Sequence, residues 1–153
     1  MIDKNLLPKY IIHGDTKKSN VMINVEEGTF TVIDLDTISY NTILYDYGDG
    51  IRSIANKGCL NLELFKSYTD GYLSEMCPFL TDIEIENMGI SILVITLELS
   101  IRYLNDYINN DIYFNINYDK QNLDRGREKL KLVKDIMNKM PYINEYIITK
   151  YKK

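Results

Sequence analysis

Between Asn20 and Asp34 the chain must turn back on itself, and that reversal constrains everything built around it. Val21-Met22-Ile23-Asn24 and Phe30-Thr31-Val32-Ile33-Asp34 are short β-prone runs, separated by the polar stretch Val25-Glu26-Glu27-Gly28-Thr29. Such a pattern predicts a hairpin. A hairpin brings its two outer ends together, so Asn20 at the start of one strand and Asp34 at the end of the other are expected to face one place. Asp15, five positions before Asn20, lies in the loop that feeds the first strand.

Downstream the period changes from two to about 3.6. Leu60, Leu64, Tyr68 and Tyr72 recur every four positions and predict a helix that ends before Pro78. Thr81-Asp82-Ile83-Glu84 has the form of a capping box, in which the Thr hydroxyl and the Glu carboxylate satisfy orphan backbone donors at a helix start. Ile85, Met88, Ile92, Ile95, Leu99 and Arg102-Tyr103 then keep helical spacing to about Tyr107, and Asn109-Asn110 is a natural stop. Ile112-Tyr113-Phe114 reads as an apolar link, and Asn122 or Asp124 as the cap of a further helix to Met140, bounded by Pro141. A last short helix is expected within Tyr142 to Tyr151. The fold class is mainly α with a small β-hairpin.

With 153 residues and 45% hydrophobic content, the chain suits one compact domain over 1–153. A net charge of -4 and a pI near 5.0 give no overall electrostatic reason to bind nucleic acid. The basic residues gathered after Lys120 read as a solvated helix face and tail. Cys59 and Cys77 lack the close Cys or His neighbours of a zinc or redox site, and buried, reduced thiols are expected. Met1 to Tyr10 is polar and contains Asp3, Lys4 and Pro8, unlike a secretory leader. Ile90 to Leu97 is the longest apolar run, well short of the about 20 residues a bilayer span needs. These features predict a soluble, cytoplasmic protein with small-molecule or protein partners and no membrane association.

Transfer of a γ-phosphoryl group asks little covalent work of a protein, but needs a carboxylate to orient the accepting hydroxyl and oxygen ligands for Mg²⁺. Asp15, Asn20 and Asp34 supply that set. His13-Gly14-Asp15-x-Lys17-x-x-Asn20 resembles the catalytic loop of the protein-kinase-like superfamily, H-R-D-x-K-x-x-N, with Gly second as in aminoglycoside phosphotransferases. Val32-Ile33-Asp34-Leu35-Asp36-Thr37 resembles that superfamily's metal-binding segment, and Leu44 to Arg52 the stretch after it. The form I-D-L-D-T followed by Y-D-Y-G-D-G-I-R-S, together with the segments 102–107, 111–114 and 122–125, resembles the N-acetylhexosamine 1-kinase branch.

The resemblance covers Ile12 to about Met140 and implies roles position by position. Asp15 would be the catalytic base, Lys17 a phosphate-facing cation, and Asn20 and Asp34 the Mg²⁺ ligands, with ATP as donor. His13 would brace the loop and Asp49 would buttress it. Asp36 would support metal or sugar, and Arg102 and Tyr113 would lie on the substrate side, where a sugar calls for a planar multi-donor group and a phenolic contact.

The same resemblance implies a carboxy-terminal lobe, because only twelve residues precede His13 where the family places a nucleotide-covering lobe, and no G-x-x-x-x-G-K-[ST] loop replaces it. Expected consequences are low activity of the chain alone, and either a separately supplied amino-terminal lobe or self-association through exposed core. The competing expectations are a non-catalytic remnant or binding module, and a kinase for another small-molecule alcohol such as an aminoglycoside.

Overall fold

A computed structural model describes residues 6–55 and 58–152. Four short strands precede four helices among these residues: β1 (Tyr10–Ile12), β2 (Val21–Asn24), β3 (Thr29–Val32), β4 (Ser39–Asn41), α1 (Leu44–Ile54), α2 (Leu62–Met76), α3 (Asp82–Ile108) and α4 (Gln121–Tyr151). The architecture is mainly α with a small β part.

The expected hairpin is β2–β3, antiparallel, with Val21 opposite Val32 and Ile23 opposite Phe30. Asn24 closes its turn by accepting the amides of Glu26 (3.1 Å) and Glu27 (3.3 Å), the local side-chain bonding that suits Asn to turns. Directly opposed residues share a face, so Val21, Ile23, Phe30 and Val32 make one apolar surface, and all four are exposed. β3 ends at Val32, two residues earlier than the sequence suggests. Asp34 stands beyond it in the left-handed region (φ 66°) and opens a single 3-10 turn, Leu35–Thr37. A second ladder, β1 against β4, pairs Ile11 with Tyr40 and is not legible as strands in the sequence.

Helix α1 is not foreseen by the sequence pattern either, because Gly48 and Gly50 lower its helix propensity. Packing supplies the reason for Gly48: a Cβ there would lie 2.8 Å from the Ser91 carbonyl oxygen. The glycine therefore lets α1 approach the backbone of α3 closely. α2 begins where Asn61 accepts the amides of Glu63 (2.8 Å) and Leu64 (3.1 Å), a side-chain N-cap. Its fully buried stripe is Phe65, Thr69 and Leu73, one position off the expected Leu64 stripe; Leu64 is exposed.

The capping box forms as predicted: Thr81 Oγ1 accepts the Glu84 amide, and Glu84 Oε2 accepts the Thr81 amide at 2.9 Å. α3 buries Ile85, Met88, Ile92 and Ile95 and packs on α1 along one side and α4 along another. By length and composition alone it could cross a membrane; in this fold it is the central core helix.

The sequence predicts two helices after Lys120, with a boundary at Pro141. One continuous helix is found, and Pro141 lies inside it. Leu132, Val133, Ile136, Ile143 and Ile147 are buried on both sides of the proline, so the core-facing stripe continues unbroken and tertiary packing outweighs the lost backbone bond. Asn122 is thus in the first turn rather than at the cap, which is Lys120. Basic residues at the end of the chain find acidic partners, Lys139 with Asp135 within α4, Lys150 with Asp70 of α2 and Lys152 with Glu86 of α3. Cys59 is exposed and Cys77 half-buried, in place of the two buried thiols expected; both are free.

Candidate active site

The loop from His13 to Asn20 is held from below by α1. Asp46 accepts the His13 amide through Oδ2 and the Gly14 amide through Oδ1, both at 2.8 Å, while Thr16 Oγ1 donates to the Asp46 carbonyl at 2.6 Å. The resemblance assigns this support to Asp49. One turn of helix separates the two acids, and it is Asp46 that faces the loop.

Gly14 takes φ +80°, and a Cβ there would stand 2.6 Å from the Thr37 carbonyl oxygen. Thr37 Oγ1 in turn donates to the His13 carbonyl at 2.7 Å. The loop is thereby locked to the turn that carries Asp34. His13 adds a second tie: Nδ1 accepts the Asp15 amide (3.3 Å) and Nε2 lies 3.0 Å from the Ile33 carbonyl. That pattern assigns the neutral Nε2–H tautomer, with the ring donating to Ile33.

Asp15, Lys17, Asn20 and Asp34 converge. Lys17 Nζ donates to Asp15 Oδ2 at 2.5 Å and pairs with Asp34 Oδ2 at 3.6 Å. The hydrogen bond to Asp15 raises the Lys17 pKa above its ordinary value, with partial burial opposing and the Asp34 charge assisting. Buried Asn20 donates its side-chain amide to the Asp15 carbonyl (2.9 Å) and to Asp15 Oδ2 (3.0 Å), and its own carbonyl accepts the Ile33 amide at 3.0 Å. The hairpin thus closes next to Asp34, bringing its ends together as the sequence predicts. Asp36 is exposed on the adjoining turn and lines neither of the cavities described next.

Oxygen ligands are what a hard divalent cation requires, and Mg²⁺ characteristically takes one or two carboxylates together with waters and substrate phosphates. Among the described residues no three His, Cys, Asp or Glu side chains cluster as a metal cage. Asp15 and Asp34, both paired with the Lys17 ammonium, together with the Asn20 side chain bonded to Asp15, fit the more open coordination of Mg²⁺.

A cavity of about 110 Å³ opens beside Asp15. Its lining includes Tyr45, Asp49 and Arg52 from α1 and Glu98 and Arg102 from α3. Arg52 binds a single oxygen of Asp49, Oδ1, through both Nε (2.8 Å) and Nη2 (2.6 Å). Asp49 Oδ2 is buried with no hydrogen-bond partner among the described residues. Burial pushes the Asp49 pKa up, and Arg52 opposes that shift.

Arg102 also lines a second, wider cavity of about 280 Å³ with Asn105, Asp106, Tyr113 and Phe114. Its guanidinium lies 5.6 Å from the ring centres of both Tyr113 and Phe114, within cation–π range. The two substrate-side candidates therefore meet, and Arg102 joins their cavity to the one at Asp15.

Buried Asp106 fixes the segment carrying Tyr113. Its carboxylate accepts the amides of Tyr113 and Phe114, each at 2.8 Å, and the Asn122 side chain at 3.0 Å. Asn122 donates also to Asp111 and accepts from Arg125, both at 2.8 Å. Burial pulls the Asp106 pKa upward, but the loop amides together outweigh it and leave the pKa lowered.

Sequence reasoning misses Asp46, Tyr45, Arg52 and Glu98 as parts of this region. Tyr45, Asp46 and Arg52 lie in the segment it singles out. Glu98 carries no signal beyond being a polar residue on the α3 stripe. Residues 1–76 match the family model described as the phosphotransferase enzyme family. The matched span takes in the catalytic-loop segment, the Asp34 turn, α1 and α2.

Proposed function

We propose that the chain carries the catalytic and metal-binding portion of an ATP-dependent phosphotransferase acting on a sugar hydroxyl, of the N-acetylhexosamine 1-kinase type. The observation that carries this reading is the pairing of Lys17 with both Asp15 and Asp34, with Asn20 bonded to Asp15, beside a cavity that shares Arg102 with the cavity at Tyr113.

In this reading Asp15 accepts a hydrogen bond from the reacting hydroxyl of the sugar and orients its oxygen for attack. Lys17, held charged by Asp15, presents its ammonium between the two carboxylates and toward incoming phosphate oxygens. Asn20 fixes the Asp15 carboxylate through its side-chain amide. Asn20 and Asp34 would hold Mg²⁺; with ATP bound, the metal would supply charge neutralisation and the nucleotide the phosphoryl group. Arg102 and the phenol of Tyr113 would grip the sugar, offering several donors and a flat amphipathic contact.

The test is calorimetric titration with Mg²⁺, ATP, N-acetylglucosamine, N-acetylgalactosamine and an aminoglycoside, with phosphorus NMR for product. Mg²⁺-dependent nucleotide binding that Asp34→Ala abolishes, together with hexosamine binding that Arg102→Ala weakens, is the expected result. Nucleotide binding indifferent to both Mg²⁺ and Asp34→Ala would overturn the phosphotransferase reading. Preference for the aminoglycoside would overturn the hexosamine assignment alone.

A further inference from the structure

Helix α3 carries a second apolar stripe that its own fold leaves open. Ile85, Met88, Ile92 and Ile95 are the buried apolar stripe. At about 100° per residue, Ile83, Ile90, Val94, Ile101 and Ile108 fall on the other side of the helix, within a sector of about 40°. All five are exposed, from 37% at Ile83 to 75% at Ile108. Leu97 and Leu104, half-buried, fill the steps between them. A helix that is apolar on both sides calls for cover on both.

The spacing indicates what supplies that cover. From Ile83 through Asn87 to Ile108 the stripe advances by four and three residues in strict alternation, the seven-residue repeat by which two helices interlock their side chains. The β-branched Val94, Ile101 and Ile108 take one position of the repeat, and Leu97 and Leu104 the other, a distribution that favours two strands. Asn87 is the single polar residue on the seam, and its side-chain amide donates to the Ile83 carbonyl at 2.7 Å. No charged residue stands between Glu86 and Glu98, so two copies of this seam meet without like-charge repulsion across that stretch.

The 27 residues of α3 extend for about 40 Å, and a stripe of that length about 10 Å wide presents roughly 400 Å² per copy. Exposed apolar patches of that size mark contact surfaces. Two copies with their flanks would bury on the order of 1,000 Å², enough for a specific interface that still dissociates.

We infer that α3 is a self-association surface, on which a second copy of this chain lays its own α3 along the stripe about a twofold axis. The inference stands apart from the proposed chemistry, because no residue of the seam lines the cavity at Asp15 or the one at Tyr113. The apolar face of the hairpin is also exposed but is too short to carry the repeat, and it serves as the control.

The experiment is analytical ultracentrifugation of the chain from about 1 to 500 μM, comparing wild type, Ile101→Lys and Phe30→Lys. The wild type should sediment as a reversible monomer–dimer mixture with a Kd in roughly the micromolar range, and its melting temperature should rise with protein concentration. Ile101→Lys, a charge placed on the seam of both copies, should weaken dimerisation by about 100-fold or more and remove the concentration dependence. Phe30→Lys should dimerise like the wild type.

A wild type that stays monomeric throughout would overturn the inference, as would a dimer indifferent to Ile101→Lys or one that Phe30→Lys dissociates. Co-sedimentation of a monomeric chain with phosphatidylcholine vesicles would assign the stripe to a lipid surface instead. Circular dichroism checks the fold of each variant, and Val94→Lys, at another exposed position of the seam, decides the matter if Ile101→Lys does not fold.

Discussion

Asp46 reaches back across 33 positions to accept the His13 amide at 2.8 Å, and its second oxygen takes the Gly14 amide at the same distance. A helix laid down after the hairpin thereby sets the backbone of the loop before it. Both bonds are charge-assisted and the acid is buried, so Asp46→Ala should cost on the order of 3 kcal/mol. For a chain of this size that corresponds to a melting temperature lower by roughly 6–12 °C. Asp46→Asn, which can still accept one amide, should fall between. Thermal unfolding followed by circular dichroism decides it, and a change below about 2 °C for Asp46→Ala would show that the loop is held by other means.

Gly14→Ala should misplace the loop rather than merely loosen it. The residue sits at φ +80°, and an added Cβ would press on the Thr37 carbonyl oxygen at 2.6 Å. Left-handed backbone costs a residue with a side chain about 1–2 kcal/mol, and relief of the clash must push the turn bearing Asp34 away from Asp15. The expected result is a destabilisation of about 2 kcal/mol or more together with altered amide shifts at Thr37 and Asp34 by NMR. Unchanged shifts there would contradict the coupling of the two segments.

What the sequence discloses, and what it withholds, follows from how local each signal is. The Thr81–Glu84 capping box and the hairpin between Asn20 and Asp34 are complete within a few residues; the box stands as read, and the hairpin forms with its second strand ending at Val32 rather than Asp34. α1 is hidden because its reason lies elsewhere: Gly48 weakens the helix locally and is required by the Ser91 backbone of α3. The choice between Asp46 and Asp49 has the same origin. Both are acids on one helix turn, and only the approach of the loop decides which becomes its anchor. Leu64 misleads for a related reason, since a four-residue repeat identifies a helix but not which neighbouring stripe the other helices cover.

Asp70 should make the docking of the carboxy-terminal helix sensitive to acid. Its carboxylate accepts from Lys150 (2.8 Å), Tyr151 (2.6 Å) and Tyr146 (2.8 Å). Those bonds, that from Lys150 foremost, hold its pKa down at about 2. A native pKa below the unfolded value means that the unfolded chain binds more protons between the two, so stability falls as pH falls through that window. The contribution should be intact above about pH 4 and gone near pH 2. Unfolding by urea at stepped pH should show the gap between wild type and Asp70→Asn closing over that range. A gap that stays constant down to about pH 2 would refute it. The site is partly exposed, so the gap should be modest and shrink with added salt.

Pro141 offers a prediction in the opposite direction, toward greater stability. It lies within α4 at an exposed position, where its ring removes the N–H that would bond the Met137 carbonyl one turn earlier. Proline in a helix interior is less favourable than alanine by about 3 kcal/mol. Its restriction of the unfolded chain returns about 0.4–1 kcal/mol. Helix α4 is already held across this point by Ile136 and Ile143, both fully buried, so the gain expected from removing the ring is smaller than the full difference. Pro141→Ala should therefore stabilise the protein by about 1–2 kcal/mol, raising the melting temperature by roughly 2–8 °C. The backbone amide that this substitution introduces should be protected from hydrogen exchange, a signal that proline, lacking the N–H, cannot give. A lower melting temperature in this variant would mean that the core-facing stripe on either side depends on the bend the proline imposes, and that the boundary read at Pro141 from sequence has a structural counterpart after all.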